Sequence, residues 1–97
     1  MRIIRRSTLS HFWESHADAG QALRAWFQEA SKAKWSKPKD IKKDYPHADV
    51  LPGNRIVFNI KGNKYRLIVK IHYNTGVCFI RFIGTHSEYD KIDAATI

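Results

Sequence analysis

Residues 55–83 read RIVFNIKGNKYRLIVKIHYNTGVCFIRFI. Apolar side chains fall at every second position. Ile56, Phe58 and Ile60 alternate with Arg55, Val57 and Asn59. Tyr65, Leu67, Val69, Ile71 and Tyr73 share one face of the next run, and Arg66, Lys70 and His72 take the other. A period of two is the signature of a strand with one face buried. Gly62-Asn63 and Asn74-Thr75-Gly76 carry turn chemistry, so the runs 55–60, 64–73 and 77–83 fold back on one another as an antiparallel meander. The second turn sets Tyr73 opposite Val77, which brings Arg66 opposite Gly84 further out. A slip of one residue in that turn would change each pair.

Upstream the period changes. Ala22, Leu23, Trp26, Phe27 and Ala30 recur at helical spacing between Ala19 and Ala33, with Arg24, Gln28 and Glu29 on other faces. A shorter helix is expected from Leu9 to His16, with Ser7 as its N-cap and Asp18 as the cap of the second. Arg2 to Arg5 enclose Ile3 and Ile4 and read as a first strand. Lys32 to Lys43 holds six lysines, at 32, 34, 37, 39, 42 and 43. Pro38 can open a short helical turn there, ending near Tyr45, and Pro46 blocks its continuation. Ala48 to Leu51 and the turn Pro52-Gly53-Asn54 lead into the meander.

The order is therefore strand, two helices, meander and short tail. Helices and strands are segregated, which predicts an α+β fold with the helices packed on one sheet face. Residues 1–97 suit one domain. The other face carries Arg66, Lys70 and Arg81 and is expected to be free for a ligand.

Seventeen Lys and Arg stand against nine Asp and Glu, a net charge of +8. Such a surplus points to a polyanionic partner, nucleic acid first and an anionic membrane second, with plain solubility as the alternative. Cys78 is the only cysteine, so it has no internal disulfide partner, and its apolar surroundings suit a packing thiol. The absence of a CxxC pair excludes a zinc finger or knuckle. His11, His16, His47 and His72 have no carboxylate or cysteine at ligand spacing. No metal and no cofactor are expected. No apolar stretch has transmembrane length and no signal-peptide core follows Met1, so the expected setting is cytoplasmic, with no membrane partner.

Cutting RNA without a metal needs few parts. A 2′-hydroxyl must lose a proton and attack the adjacent phosphate, the leaving 5′-oxygen must gain one, and charge on the phosphoryl oxygens must be stabilised. Arg66, Arg81, His86 and Tyr89 are candidates. The expected pairing gathers two guanidiniums and one imidazole at one end of the sheet, and guanidiniums suit phosphate oxygens. Each Arg could equally be solvated strand charge, and a lone loop His is often inert. Tyr89 could stack on a base or simply pack, and Asp90 could orient His86 or Arg81, or cap a last helical turn. The lysine-rich segment with Trp35 and Tyr45 has the composition of a nucleic-acid surface, through Lys37, Lys39, Lys42 and Lys43. Lys61, Asn63 and Lys64 would add to it.

Phe58-Asn59, Gly62-Asn63, Arg66, Cys78-Phe79-Ile80-Arg81 and Thr85-His86-Ser87-Glu88-Tyr89-Asp90 resemble, in residue type and spacing, the pattern of HigB-type toxins in the RelE-like superfamily. The element order is similar to the RelE-like fold over nearly the whole chain. That resemblance implies a ribosome-dependent mRNA endoribonuclease of a type II toxin-antitoxin system. It also implies a HigA-type helix-turn-helix antitoxin as partner, beside the ribosome and its mRNA; the free toxin is expected to be a monomer. By matching position, Arg66 and Arg81 would stabilise the phosphate, His86 would transfer a proton and Tyr89 would orient or stack on the mRNA. His86 as base and His86 as binding residue both suit the sequence. A non-catalytic RNA- or ribosome-binding domain is the alternative. A DNA-binding repressor fits less well, because no helix-turn-helix break is evident and half the chain is sheet.

Overall fold

The computed structural model describes residues 1–97. Strand β1 is Arg2–Ile4 and is followed by α1, Arg6–Ser15. A short 3₁₀ turn at Ala17–Ala19 leads into α2, Gly20–Lys32, and then α3, Pro38–Asp44. Four strands follow: β2 (Asp49–Leu51), β3 (Arg55–Ile60), β4 (Tyr65–His72) and β5 (Val77–Thr85). One further helical turn, α4, covers His86–Tyr89. The strands form one sheet in the order β1-β5-β4-β3-β2, with β1 parallel to β5 and the other pairs antiparallel.

The core lies between the helices and one sheet face. Leu9, Leu23, Trp26, Ala30 and Ile41 meet Ile56, Phe58, Leu67, Val69, Ile71, Cys78 and Ile80, all buried. Leu23, Trp26, Ala30, Ile56, Phe58, Leu67, Val69 and Ile71 are positions that the two periodicities mark; Leu9, Ile41, Cys78 and Ile80 join them from outside those patterns. Removing such a side chain, as in Leu67→Ala, costs about 2–5 kcal/mol. Burial pushes the Cys78 thiol up to about 12, so it stays protonated and packs as a small apolar group.

Both expected caps are placed differently. Arg5 adopts a left-handed backbone, φ 71°, directly after β1 and turns the chain into α1. The Thr8 N–H then donates to the Arg5 carbonyl, and Ser7 lies inside the first turn. Asp18 does not cap α2, because its carboxylate is engaged by β4 and the turn before it. Trp35 and Tyr45 also depart from expectation. Trp35 is buried, stacks on Phe58 and donates its Nε1–H to Asp44. Tyr45 packs edge-on against Phe58 and bonds Glu29 through its hydroxyl. Neither stands free as a stacking platform.

The meander turns one residue earlier than the sequence suggests, with His72 opposite Val77. A β-bulge then skips Arg81: Val69 pairs with Ile80, and Ile68 with Phe82. The extra residue restores Arg66 to Gly84. The open face is not wholly free. Arg55 and Arg81 both donate their Nε–H to the Ile97 carbonyl, which ties the C-terminal tail across one end of it. The end that carries Arg66 remains accessible.

Candidate active site

Asn59, Arg66 and Gly84 lie side by side on β3, β4 and β5. Paired residues point to the same face, so strand register alone sets the Asn59 amide beside the Arg66 guanidinium. Nη1 of Arg66 donates to Oδ1 of Asn59 and, at 3.0 Å, to Oδ1 of Asn63 in the β3–β4 turn. Nη2 reaches Nε2 of His86 at 3.0 Å. The Tyr89 ring lies 5.7 Å from the guanidinium carbon, which adds a cation–π contact.

His86 is delivered by α4. Thr85 caps that turn by accepting the Glu88 N–H, and the Glu88 carboxylate accepts the Thr85 N–H at 2.8 Å. This capping box fixes a turn too short to stand alone. The bond from the Thr85 N–H, helped by the Thr85 hydroxyl contact, holds the Glu88 carboxyl below its ordinary range. Gly84 makes room for the arrangement. A Cβ there would stand 2.5 Å from the Phe82 ring and 3.1 Å from the Glu88 carboxylate.

The proton on His86 follows from its partners. A guanidinium can only donate, so Nε2 must accept and carry a lone pair. The proton then sits on Nδ1, which faces Oδ2 of Asp90 at 3.3 Å. The imidazole is neutral in this contact, half exposed, with its basic nitrogen held against Arg66. Asn59, Asn63, Arg66, His86, Tyr89 and Asp90 thus form one polar chain at the open end of the sheet. A cleft of about 500 Å³ adjoins it, lined by Tyr45, Pro46, His47, Phe58, Asn59 and Asn63 among others.

Arg81 is bonded to the tail through Ile97 and makes no hydrogen bond to the Asn59–Arg66–His86 network. Lys64 donates to Asp18 at 2.5 Å, and Lys61 lies 3.6 Å from the same carboxylate. Lys37, Lys39, Lys42 and Lys43 line a shallow recess with Asp40, apart from the cleft. Asp40 accepts the Ser36 N–H and hydroxyl, both at 2.9 Å, and those two bonds hold its carboxyl below the ordinary range. Asn59 as a holder of Arg66 and His47 as a cleft residue were not legible as site residues. For Asn59 the signal was present, since the alternation already sets it on the face of its strand opposite the core.

The fold and this cluster define a small basic α+β protein whose open sheet end gathers a guanidinium, an imidazole and a tyrosine ring. Residues 19–92 match the HigB toxin family, described as the RelE-like toxic component of a toxin-antitoxin system, and the chain belongs to that family. Its partner is accordingly an antitoxin. The chain is 28% identical over 96 residues to the mRNA interferase toxin HigB of Escherichia coli K12, covering 97% of this chain and 92% of the relative. The mRNA interferase HigB of Shigella flexneri gives the same figures. The mRNA interferase HigB of Escherichia coli O6:H1 is 23% identical over 94 residues, covering 95% and 91%. No helix is long and apolar enough to cross a membrane.

Proposed function

We propose that this chain is an mRNA endoribonuclease toxin, one domain over residues 1–97, that cuts messages on the translating ribosome and is neutralised by a HigA-type helix-turn-helix antitoxin. It acts in the cytoplasm, and the free toxin is a monomer. The observation that carries the reading is the Arg66–His86 contact inside a single hydrogen-bonded chain.

Arg66 is the phosphate ligand. RNA phosphate oxygens outcompete imidazole for the guanidinium, because both partners are then charged. Drawing Arg66 onto the phosphate frees the Nε2 lone pair. Nε2 then accepts the proton of the 2′-hydroxyl as the oxygen attacks the adjacent phosphorus. The products are a 2′,3′-cyclic phosphate and a 5′-hydroxyl, the leaving oxygen taking its proton from water and the imidazolium returning its own to solvent. Asp90 stabilises the imidazolium that forms, as a carboxylate beside a general base does. Tyr89 offers a ring to the flanking base. Arg81, released from Ile97, would supply a second cation to the same phosphate. The reaction written here asks for no metal. Lys37, Lys39 and Lys43 face ribosomal RNA, where three cations add affinity and salt dependence but no chemistry, while Lys42 is held by the Pro46 and Ala48 carbonyls.

The test is controlled expression of the chain beside Arg66→Ala and His86→Ala, with mRNA 5′ ends mapped during translation and after initiation is blocked. New in-frame cuts bearing 5′-hydroxyls are expected from the wild type. Each variant should lose about 10²-fold or more in cleavage. Cuts that persist without initiation would refute ribosome dependence. Association with ribosomes and no cuts from folded protein would replace the nuclease by a binding module.

A further inference from the structure

We infer that Asp18, on the helical corner between α1 and α2, is a positioning residue for Arg66. The inference rests on the nuclease reading above. Asp18 lies 48 residues from Arg66 in sequence and never touches it. It grips the segment that does.

Oδ2 of Asp18 accepts from Lys64 at 2.5 Å and lies 3.6 Å from the Lys61 ammonium. Oδ1 accepts the Tyr65 hydroxyl at 2.5 Å. One carboxylate therefore binds the first residue of the β3–β4 turn, the last residue of that turn and the first residue of β4. The turn needs such a hold. Lys61 sits at φ 53° and Gly62 at φ 64°, and the left-handed region is costly for a lysine. Tyr65 is clamped further by the edge-on rings of Phe12 at 5.2 Å and His16 at 5.7 Å.

Both ends of this segment reach the site. Asn63, inside the turn, holds Arg66 through Oδ1. Tyr65 precedes Arg66 on β4 and pairs with Thr85, the cap of the turn that carries His86. Fixing Tyr65 from the helix side thus fixes the two strand ends on which the guanidinium and the imidazole are mounted. Sites held loosely at this level lose rate before they lose binding.

The same bonds have an opposite effect on affinity. They keep two lysine ammonium groups on a carboxylate and away from RNA. Removing the charge should slow cleavage while leaving ribosome binding equal or tighter, a split that simple destabilisation does not produce.

The experiment uses the full chain and 70S ribosomes programmed with a defined mRNA. Single-turnover cleavage and ribosome affinity are measured for wild type, Asp18→Asn and Asp18→Glu, and for Asp18→Asn combined with Arg66→Lys. Asp18→Asn is expected to lower the saturated rate about 10-fold with Kd unchanged or lower, and Asp18→Glu to restore part of it. Combined with Arg66→Lys, the change should add little, since both act on one guanidinium. A wild-type rate in Asp18→Asn, a loss that follows Kd or the folded fraction, or a full additive loss beside Arg66→Lys would overturn the inference. Should Asp18→Asn not fold, Tyr65→Phe decides: a slower rate with unaltered salt dependence supports the tether, and an unchanged rate refutes it. Arg66→Ala separates the two levels. Full cleavage by that variant sinks the nuclease site and this inference together, whereas its loss beside a normal Asp18→Asn sinks the inference alone.

Discussion

Two groups of lysines look alike in the sequence and are put to different uses. Lys61 and Lys64 flank the β3–β4 turn and converge on Asp18. Lys37, Lys39 and Lys43 lie on or beside α3 and are exposed, with the nearest carboxylate, Asp40, already taken by Ser36. Lys42, in their midst, donates to the Pro46 and Ala48 carbonyls at 2.7 and 2.8 Å and closes the exit from α3. The net charge of +8 counts all six alike. Of the six, only Lys37, Lys39 and Lys43 are exposed with no hydrogen bond or ion pair to the rest of the chain. The lesson is that a basic surplus gives the sign of the partner, while the fold decides which cations meet it.

The sharpest test of that contrast is the triple change Lys37→Ala, Lys39→Ala, Lys43→Ala. Ribosome affinity should fall about 100-fold near physiological salt, and the slope of log K against log salt should flatten by about 2, roughly 0.7 for each lost phosphate contact. Lys61→Ala with Lys64→Ala should change that slope by less than 1 on the same scale and lower the melting temperature instead. Equal slopes for both sets, by titration at several salt concentrations, would erase the distinction. A smaller effect is expected at Lys42. Lys42→Met should cost about 1 kcal/mol in denaturant unfolding, since two charge-assisted bonds to carbonyls are lost at an exposed position. Loss of ribosome affinity without loss of stability would return Lys42 to the binding group.

The smallest effect concerns acid. Bonds from Lys64 first, then Tyr65, hold the Asp18 carboxyl well below the ordinary carboxylate range, with Lys61 adding to them. A carboxyl whose pKa is lower in the folded than in the unfolded chain stabilises the fold above the unfolded value, 3.8, and loses that contribution as pH falls through the folded one. The stability gap between wild type and Asp18→Asn should therefore be constant from pH 7 to about 5 and narrow below about 4. His16 lies with its ring 5.7 Å from Tyr65, so the scan is repeated in His16→Gln to separate any contribution of that ring. A gap that widens in acid would contradict the Asp18 tether.

Much of the fold could be read because it depends on local period. Alternation from Arg55 to Ile83 and the apolar stripe of α2 each reflect which residues a strand or helix must bury. The opposition of Arg66 and Gly84 was read correctly through an incorrect turn, and the bulge at Arg81 supplied the missing residue. A bulge leaves no mark in hydrophobic alternation when the extra residue is polar and exposed. The caps were misread for a related reason. Ser7 and Asp18 have the right chemistry, but Arg5 turns the chain first, and Asp18 has better partners 46 and 47 residues away.

By itself the sequence determined the α+β class, the main faces that form the core and the basic surplus of charge. Each follows from neighbours along the chain or from composition. The tertiary structure alone decided that Asn59 and Asn63 hold Arg66, that the His86 proton sits on Nδ1, that Arg81 ties down the tail and that Lys61 and Lys64 are paired. These are contacts between residues distant in sequence or set by strand register. A hydrogen bond forms only where packing brings donor and acceptor within about 3 Å, a condition that no local pattern encodes.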